Sequence, residues 1–159
     1  MKIGIDISQV VYEKTGVAKY VKNLVENLIK IDKKNEYILF FASLRRKTPI
    51  FNFQFSNKSQ ISNSKIQIRS FKILPTLLDL LWNRLHILPI EWLIGDVDMF
   101  VTSDWTEPPA KKAKKITILY DLIVYKHPQE TAKKIVEVQK RKLKWVKKES
   151  DMILSLIHI

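Results

Sequence analysis

The stretch MKIGIDISQVVYEKTGVAKYVKNLVENLIK, residues 1–30, decides the fold class of this chain. Ile3, Ile5 and Ile7 alternate with smaller or polar residues, a period of two that is typical of a packed strand. From Gly16 onward apolar residues recur at spacings of three and four, which indicates one buried helix face: Val17, Tyr20, Val21, Leu24, Leu28 and Ile31. The stretch therefore predicts a strand, a loop and a helix.

The rest of the chain alternates between short apolar runs and amphipathic segments. Strands are predicted at residues 37–41, 65–71, 98–102, 115–120 and 152–154, and helices at 75–89, 91–95 and 130–149. Residues 43–65 are predicted to be a long loop, in which Phe51, Phe53 and Phe55 alternate and could form an edge strand. Because this order leaves little room for hairpins, we expect an α/β fold: a Rossmann-like parallel sheet flanked by helices.

Two later helices are each predicted to bury one face. In the helix that begins at Pro75, the side chains predicted to be buried are those of Leu77, Leu78, Leu81, Trp82 and Leu85. In the helix at 130–149, the side chains predicted to be buried are those of Ala132, Ile135, Val136, Gln139, Leu143 and Val146.

The composition is that of one globular domain. The chain has 159 residues, of which 46% are hydrophobic, and this is enough for a real core. The absence of cysteine fits a reducing compartment, and the three histidines are too scattered for a zinc site, so we expect no metal. We expect no signal peptide, because the first residues run straight into a predicted strand, and charged residues and proline interrupt the apolar stretch 74–94. We therefore expect a cytoplasmic protein without a membrane-spanning helix.

The net charge of +12 is the strongest compositional signal. Two clusters carry much of it: Lys111, Lys112, Lys114 and Lys115; and Lys133, Lys134, Lys140, Arg141, Lys142, Lys144, Lys147 and Lys148. Such clusters are typical of proteins that bind nucleic acid, anionic lipid or phosphorylated substrates. A solvated surface without a partner explains them equally well.

Three loops leave the carboxyl ends of predicted strands, at residues 8–19, 103–109 and 120–128. In one parallel sheet these loops meet at one edge, the usual position for a ligand. Candidate groups there are Ser8, Gln9, Thr15, Gly16, Lys19, Asp104, Trp105, Glu107, Tyr120, Asp121 and His127. They offer carboxylates for sugar hydroxyls, an aromatic ring for a sugar face and a cation for a phosphate, although inactive sheets carry similar loops. With glycine only at positions 4, 16 and 95, the chain has neither a dinucleotide-binding G-x-G-x-x-G motif nor a P-loop.

Six segments in order along nearly the whole chain carry a family resemblance: MKIGIDIS (1–8), TGVAKYVKNLVENL (15–28), LLWNRLHILPIEWL (80–93), DMFVTSDWTEPP (98–109), ITILYDLIVYKHPQE (116–130) and KWVKKESDMILS (144–155). Together they resemble the N-terminal domain of the family-four retaining glycosyltransferases, which have the GT-B fold. The resemblance implies that residues 1–155 are the acceptor-side, Rossmann-like domain of a hexosyltransferase. Its donor would be a nucleotide-sugar, which is a co-substrate, so no cofactor is expected. Its acceptor would be a glycan or a lipid-linked acceptor.

The resemblance also implies roles for single residues. Gly16 would lie where the backbone approaches the donor phosphates or the acceptor, and Lys19 matches the basic residue of the family's opening loop. Asp104 and Trp105 would contact the acceptor. Tyr120 and Asp121 match the catalytic H-D-L-type motif, but Tyr120 replaces the usual histidine, and a phenol with a pKa of about 10 is a poor base. His127 could substitute for that histidine.

Part of the family pattern is not in these residues. The second Rossmann-like domain, which holds most of the nucleotide-sugar contacts, is absent from the 159 residues, so we expect the fragment to be inactive alone. Residues 154–159, LSLIHI, can be read as a translation of the transposon mosaic end CTGTCTCTTATACACATC. We therefore expect residues 156–159 to be a non-native tail on a truncated gene fragment.

A different class of function stays open: a basic Rossmann-like module that binds nucleic acid or anionic lipid. Nucleic acid is the less favoured partner, because no nucleic-acid motif is present and Trp145 is the one aromatic residue on the basic helix. For the enzyme, the same positive charge would favour phosphate-bearing acceptors or a peripheral position at the inner membrane face.

Overall fold

The structure, a computed structural model, describes residues 1–44, 66–102 and 104–156. It contains one six-stranded parallel sheet in the order β3-β2-β1-β4-β5-β6. The strands are β1 (Lys2–Asp6), β2 (Glu36–Ala42), β3 (Ile66–Phe71), β4 (Met99–Thr102), β5 (Lys114–Leu119) and β6 (Met152–Ser155). The predicted Rossmann-like class is confirmed. The expected edge strand at Phe51, Phe53 and Phe55 lies outside the described residues, as do Ser103 and most of the expected tail, residues 157–159.

Five helices accompany the sheet in the described ranges: α1 (Gly16–Ile31), α2 (Pro75–Leu78, continued by a π-helix at Asp79–Arg84), α3 (Glu91–Ile94), α4 (Ile123–Lys126) and α5 (Lys133–Glu149). Short 3₁₀ turns lie at Ser8–Val11 and Pro128–Glu130. No helix in the described parts of the chain is long and apolar enough to cross a membrane.

The core lies on both faces of the sheet. On one face, Val21 and Val25 of α1 pack against Ile5 and Leu39. On the other face, Trp82 of α2 packs within a second cluster that includes Phe40 and Phe100 of the sheet. Strand β2 contributes to both clusters and is buried from Tyr37 to Ala42, as the continuous apolar run predicted.

Glycine at position 4 allows a close approach inside the second cluster. A Cβ atom added at Gly4 would lie 2.7 Å from Phe100 Cδ2 and 2.9 Å from Ile94 Cδ1. Both distances are shorter than a carbon–carbon contact of about 3.5–4.0 Å. The Phe100 ring therefore packs directly on the backbone of the central strand.

Helix α1 begins where the sequence predicts, because the Thr15 hydroxyl oxygen accepts a hydrogen bond from the Ala18 N–H at 3.2 Å. Most of the predicted face packs on the core: Val21 is buried, and Val17, Tyr20 and Leu28 are partly buried against the same cluster. The prediction is wrong for Ile31, which is 76% exposed. Ile31 is the last helical residue, so its side chain extends beyond the end of the packed face.

Helix α2 is not regular, and the predicted inner face is wrong at two positions. The Leu85 N–H donates to the Leu80 carbonyl oxygen at 2.9 Å, five residues back rather than four. The wider π-helical turn rotates the chain, so that Asn83 is buried beside Trp82. Leu77 and Leu85, expected inside, are exposed instead.

Helix α5 buries two of its predicted residues, Val136 and Val146, together with Val138 and Lys142. The expectation of an inward Ala132 is wrong, because this residue precedes the first helical turn and is exposed. The expected surface clusters also lose two lysines, since Lys115 and Lys142 are each only 2% exposed. The basic surface is therefore smaller than the charge count suggests.

Candidate functional site

A cleft of about 310 Å³ opens at the carboxyl edge of the sheet, on the face that α2 and α5 cover. We call it the edge cleft. It lies beside β1, where the strand order reverses and where ligands of parallel sheets usually bind. Five segments line it: Asp6, Ser8, Gln9, Val11 and Tyr12 at and after the end of β1; Ala42 and Ser43 at the end of β2; Pro75, Thr76, Leu78 and Asp79 of α2; Trp105 and Thr106 after β4; and Lys134, Ile135 and Val138 of α5.

The walls of the edge cleft are mostly apolar, with a few polar groups placed among them. Val11 and Leu78 are buried, and Ile135 and Val138 of α5 form the opposite side. This combination is typical of small-molecule sites, because apolar walls supply affinity while isolated polar groups fix the orientation of the ligand.

Gln9 is the polar group most suited to meet a ligand. The residue is 6% exposed, and its backbone carbonyl oxygen accepts from the Tyr12 N–H at 3.0 Å, which closes the 3₁₀ turn. Across the described residues no hydrogen bond reaches its side-chain amide. Because this side chain lines the edge cleft, its oxygen can accept and its nitrogen can donate a hydrogen bond to a ligand there.

The loop that carries Gln9 is fixed to the ends of two strands. The Ser8 N–H donates to Asp6 Oδ1 at 2.8 Å, and Ser8 Oγ accepts from the Ala42 N–H at 3.0 Å. The Ile7 N–H donates to the Phe40 carbonyl oxygen at 2.9 Å. The floor of the edge cleft is therefore held by hydrogen bonds before any ligand arrives.

Asn83 holds the opposite wall in place from the π-helical turn. Its Nδ2 donates to Asp79 Oδ1 at 3.0 Å and to the Trp105 carbonyl oxygen at 2.9 Å. Its Oδ1 accepts from the Glu107 N–H at 3.0 Å. Partial burial raises the pKa of Asp79, but hydrogen bonds from Asn83 and Arg141 outweigh this and leave the pKa below its ordinary value. Asp79 is therefore an anion that is already engaged.

A charged layer lies behind that wall. Glu107 is fully buried, and its carboxylate is 3.3 Å from Lys115 Nζ and accepts from Thr117 Oγ1 at 3.1 Å. Burial lowers the pKa of the Lys142 ammonium, whereas the carboxylates of Glu107 and Asp104 act in the opposite direction. Paired buried charges of this kind fix the geometry of an edge, since removing one partner exposes the other to the full cost of burial.

Tyr120 and Asp104 lie together near the end of β5. The Tyr120 ring packs edge-on against Tyr20 of α1, with 5.6 Å between the ring centroids. Burial raises the pKa of Tyr120, and the Asp104 carboxylate adds to this effect. Burial also raises the pKa of Asp104, and the nearby Asp121 carboxylate acts in the same direction. At neutral pH the Tyr120 phenol keeps its proton and can donate a hydrogen bond, but it cannot act as a base.

The structure therefore divides the predicted site residues into groups. Trp105 lines the edge cleft, as do Ser8 and Gln9 from the wider candidate set. Gly16 and Lys19 are exposed at the start of α1. Exposed groups further along the chain are Asp121, which accepts from the Ile123 N–H at 3.1 Å, and His127, which lies 3.7 Å from Glu130. None of these last four lines the edge cleft.

Sequence reasoning missed the contribution of the helices to the site. Asn83, Lys134, Ile135 and Val138 were not among the candidates, because they come from α2 and α5 rather than from the loops. One signal was present for Lys142: it lies four residues after Val138 and four before Val146, on the same buried helical stripe.

Comparison with known proteins gives no relative for this chain. No protein-family model, no curated protein and no solved structure matches it. The Rossmann-like fold is assigned from the sheet, and the function is proposed from the site and from the sequence resemblance.

Proposed function

We propose that the chain is the N-terminal, acceptor-side domain of a family-four, GT-B-fold retaining glycosyltransferase. The complete enzyme transfers a hexosyl group from a nucleotide-sugar to a glycan or a lipid-linked acceptor in the cytoplasm. The edge cleft is the observation that carries this proposal. It is lined in part by the segments that resemble the family, since MKIGIDIS supplies Asp6 and Ser8 and DMFVTSDWTEPP supplies Trp105.

The chemistry of the edge cleft suits an acceptor that has both hydroxyls and an apolar part. The Gln9 amide offers a carbonyl oxygen that accepts and an amino group that donates hydrogen bonds to a hydroxyl. Trp105 offers an apolar ring for a sugar face. Val11 and Leu78 provide an apolar wall for the remainder of the acceptor.

Residues outside the edge cleft, at the start of α1, would face the nucleotide-sugar donor. A Cβ atom at Gly16 would find no atom within 4 Å, so the backbone at the start of α1 is open to a phosphate. Lys19 is exposed one turn further along and supplies a cation. Tyr120 supplies a hydrogen bond rather than a base, which suits retaining transfer, a reaction that needs little help from a protein base.

The alternative function is a basic module that binds nucleic acid or anionic lipid. Helix α5 favours it, because six of its lysines are exposed: Lys133, Lys134, Lys140, Lys144, Lys147 and Lys148. Against nucleic acid, the aromatic residue of this helix is already occupied, since Trp145 stacks on His86 with 3.6 Å between the ring centroids. It is not free to stack on a base.

Ligand-detected NMR tests the proposal on the chain itself. Glycans, lipid-linked acceptor analogues and RNA oligonucleotides are presented to the wild-type chain and to Gln9→Leu. We expect an acceptor of the first two kinds to bind and Gln9→Leu to weaken that binding about 10-fold, because the hydrogen bonds of the Gln9 amide to the acceptor are lost. Gln67→Leu, an exposed glutamine on β3, is the matched control and should bind as wild type.

Two outcomes contradict the proposal. One is binding of RNA alone, with no response to any glycan or lipid-linked acceptor. The other is turnover of a nucleotide-sugar by the 159-residue chain, because an acceptor-side domain should lack most donor contacts.

A further inference from the structure

The crossover between β3 and β4 exposes large apolar side chains on its outer face. They are exposed by 41% at Leu80 to 63% at Trp92, and we call the set the crossover stripe: Leu74, Leu77, Leu80, Leu85, Ile87 and Trp92. The same segment buries Leu78 and Trp82 against the sheet. The segment is therefore apolar both on the side that packs on the sheet and on the side that faces solvent. Packing in the core explains the first side but not the second.

The irregular hydrogen bonding of α2 aligns part of this stripe. The π-helical bond from the Leu85 N–H to the Leu80 carbonyl oxygen places these two residues one turn apart on the same side. The bond from the Leu77 N–H to the Leu74 carbonyl oxygen, 3.0 Å long, does the same at the start of the helix. A regular α-helix would have turned Leu85 toward the sheet, as the sequence predicted.

Cations lie at both ends of the crossover stripe. Trp145 of α5 donates its indole N–H to the Asn83 carbonyl oxygen at 2.9 Å, and Lys144 and Lys148 lie over its ring at 5.5 and 5.1 Å from the centroid. At the other end, Lys111 Nζ is 4.7 Å from the centroid of the Trp92 ring.

The carboxylates nearby are already engaged by other groups. Asp79 is bonded to Arg141 at 2.9 Å, and Glu149 is bonded to Lys115 at 3.0 Å. The charge that faces outward beside the crossover stripe is therefore positive.

We propose that the crossover stripe and its cations form a docking surface for an anionic lipid bilayer. Leucine, isoleucine and tryptophan side chains bury in the boundary between headgroups and acyl chains, while lysines contact anionic headgroups. Nucleic acid would use the cations but gain little from aliphatic leucines, because bases stack on aromatic rings. A protein partner would need negative charge around an apolar groove. The surface does not depend on the proposed sugar transfer, which concerns the carboxyl edge of the sheet.

Vesicle flotation with the full chain tests the proposal. Wild type is mixed with vesicles of phosphatidylcholine alone and of phosphatidylcholine with phosphatidylglycerol, and the bound fraction is measured. We expect binding to the anionic vesicles. Leu77→Ser/Leu85→Ser should weaken it at least about 10-fold, because two apolar side chains lose their burial. The control Ile31→Ser removes an even more exposed apolar side chain from α1, on the other face of the sheet, and should bind as wild type.

The charge contribution has its own pair of variants. Lys144→Gln/Lys148→Gln should weaken binding to anionic vesicles about 25-fold, since each lysine near the surface contributes about 5-fold. Lys30→Gln/Lys33→Gln removes the same charge near the end of α1 and should weaken binding about 2-fold or less, because salt screens distant charges.

Three results overturn the proposal: no binding to either kind of vesicle, binding that Leu77→Ser/Leu85→Ser leaves unchanged, and a dimer in sedimentation that the same variant dissolves. Circular dichroism of each variant checks that the helices remain. All substituted positions are exposed, so we expect the spectra to be those of wild type.

Discussion

Replacing Asn83 by alanine should destabilise the chain by about 3–5 kcal/mol. The side chain makes three hydrogen bonds in a buried position, to Asp79, to the Trp105 carbonyl oxygen and from the Glu107 N–H. Each such bond contributes about 1 kcal/mol, and an orphaned buried N–H adds about 1–3 kcal/mol. The better helix propensity of alanine returns at most about 0.7 kcal/mol. The orphaned Glu107 N–H, which keeps no acceptor, is therefore the largest single contribution to the loss.

Urea unfolding followed by circular dichroism measures this change. The expected result is a lower midpoint with an unchanged slope, since the surface exposed on unfolding stays the same. Asn27→Ala is the matched control: Asn27 is an exposed helical asparagine whose side chain bonds only the Asn23 carbonyl oxygen, at 2.8 Å. This control should change stability by about 0.5 kcal/mol or less. A loss below about 1 kcal/mol in Asn83→Ala would show that the turn is held by something other than these bonds.

Three further predictions use the same unfolding assay. Gly4→Ala should lower the free energy of unfolding by about 1–3 kcal/mol, because the added methyl group overlaps the Phe100 ring. An unchanged urea midpoint would mean that Phe100 and its neighbours move aside at little cost. Gly16→Ala should leave stability equal or raise it by up to about 1 kcal/mol, since nothing lies within 4 Å of the added methyl group; a loss would reveal an unseen constraint. Partial burial raises the pKa of Glu149, but hydrogen bonds from His86 and Lys115 outweigh this and leave the pKa below 4.5. The ionised carboxylate therefore contributes fully to the free energy of unfolding above about pH 4.5, and this contribution is lost as the pH falls through the lowered pKa. The loss of stability caused by Glu149→Gln at pH 7 should therefore be smaller at about pH 3. Glu130→Gln, which removes an exposed contact to His127, should leave stability unchanged at either pH.

The fold could be predicted because strand and helix periods alternate clearly along the chain. All six predicted strands are present, and their boundaries in the described ranges agree to within two residues. The apolar run at 37–41 also predicted correctly that β2 is buried on both faces. These signals depend on local spacing, which a single sequence displays directly.

The π-helical turn could not be predicted, because the pattern of leucines around it fits a regular helix equally well. The extra residue in the π-helical turn places Asn83 on the inner face of α2 and leaves Leu85 exposed. Asn83 is buried there because its side chain has hydrogen-bond partners in the loop after β4. Lys142 was misassigned for a related reason. A lysine is usually exposed, and its buried carboxylate partners lie far away in the sequence.

The candidate site was predicted in part. The loops after β1 and β4 do reach one edge, and Trp105 and Gln9 do line the edge cleft. The third wall comes from Ile135 and Val138, whose inward direction follows from the packing of α5 on α2 rather than from any motif.

The position of β1 in the middle of the sheet has a consequence for synthesis. Ile3 pairs with Tyr37 on one side and with Met99 on the other, so the second partner is translated long after the first. At about 5–20 residues per second, β1 waits roughly 3–12 s on the ribosome with one open edge. During that interval its unpaired backbone is a target for aggregation, and a chaperone or a slow ribosome would change the yield of folded chain more than its final stability.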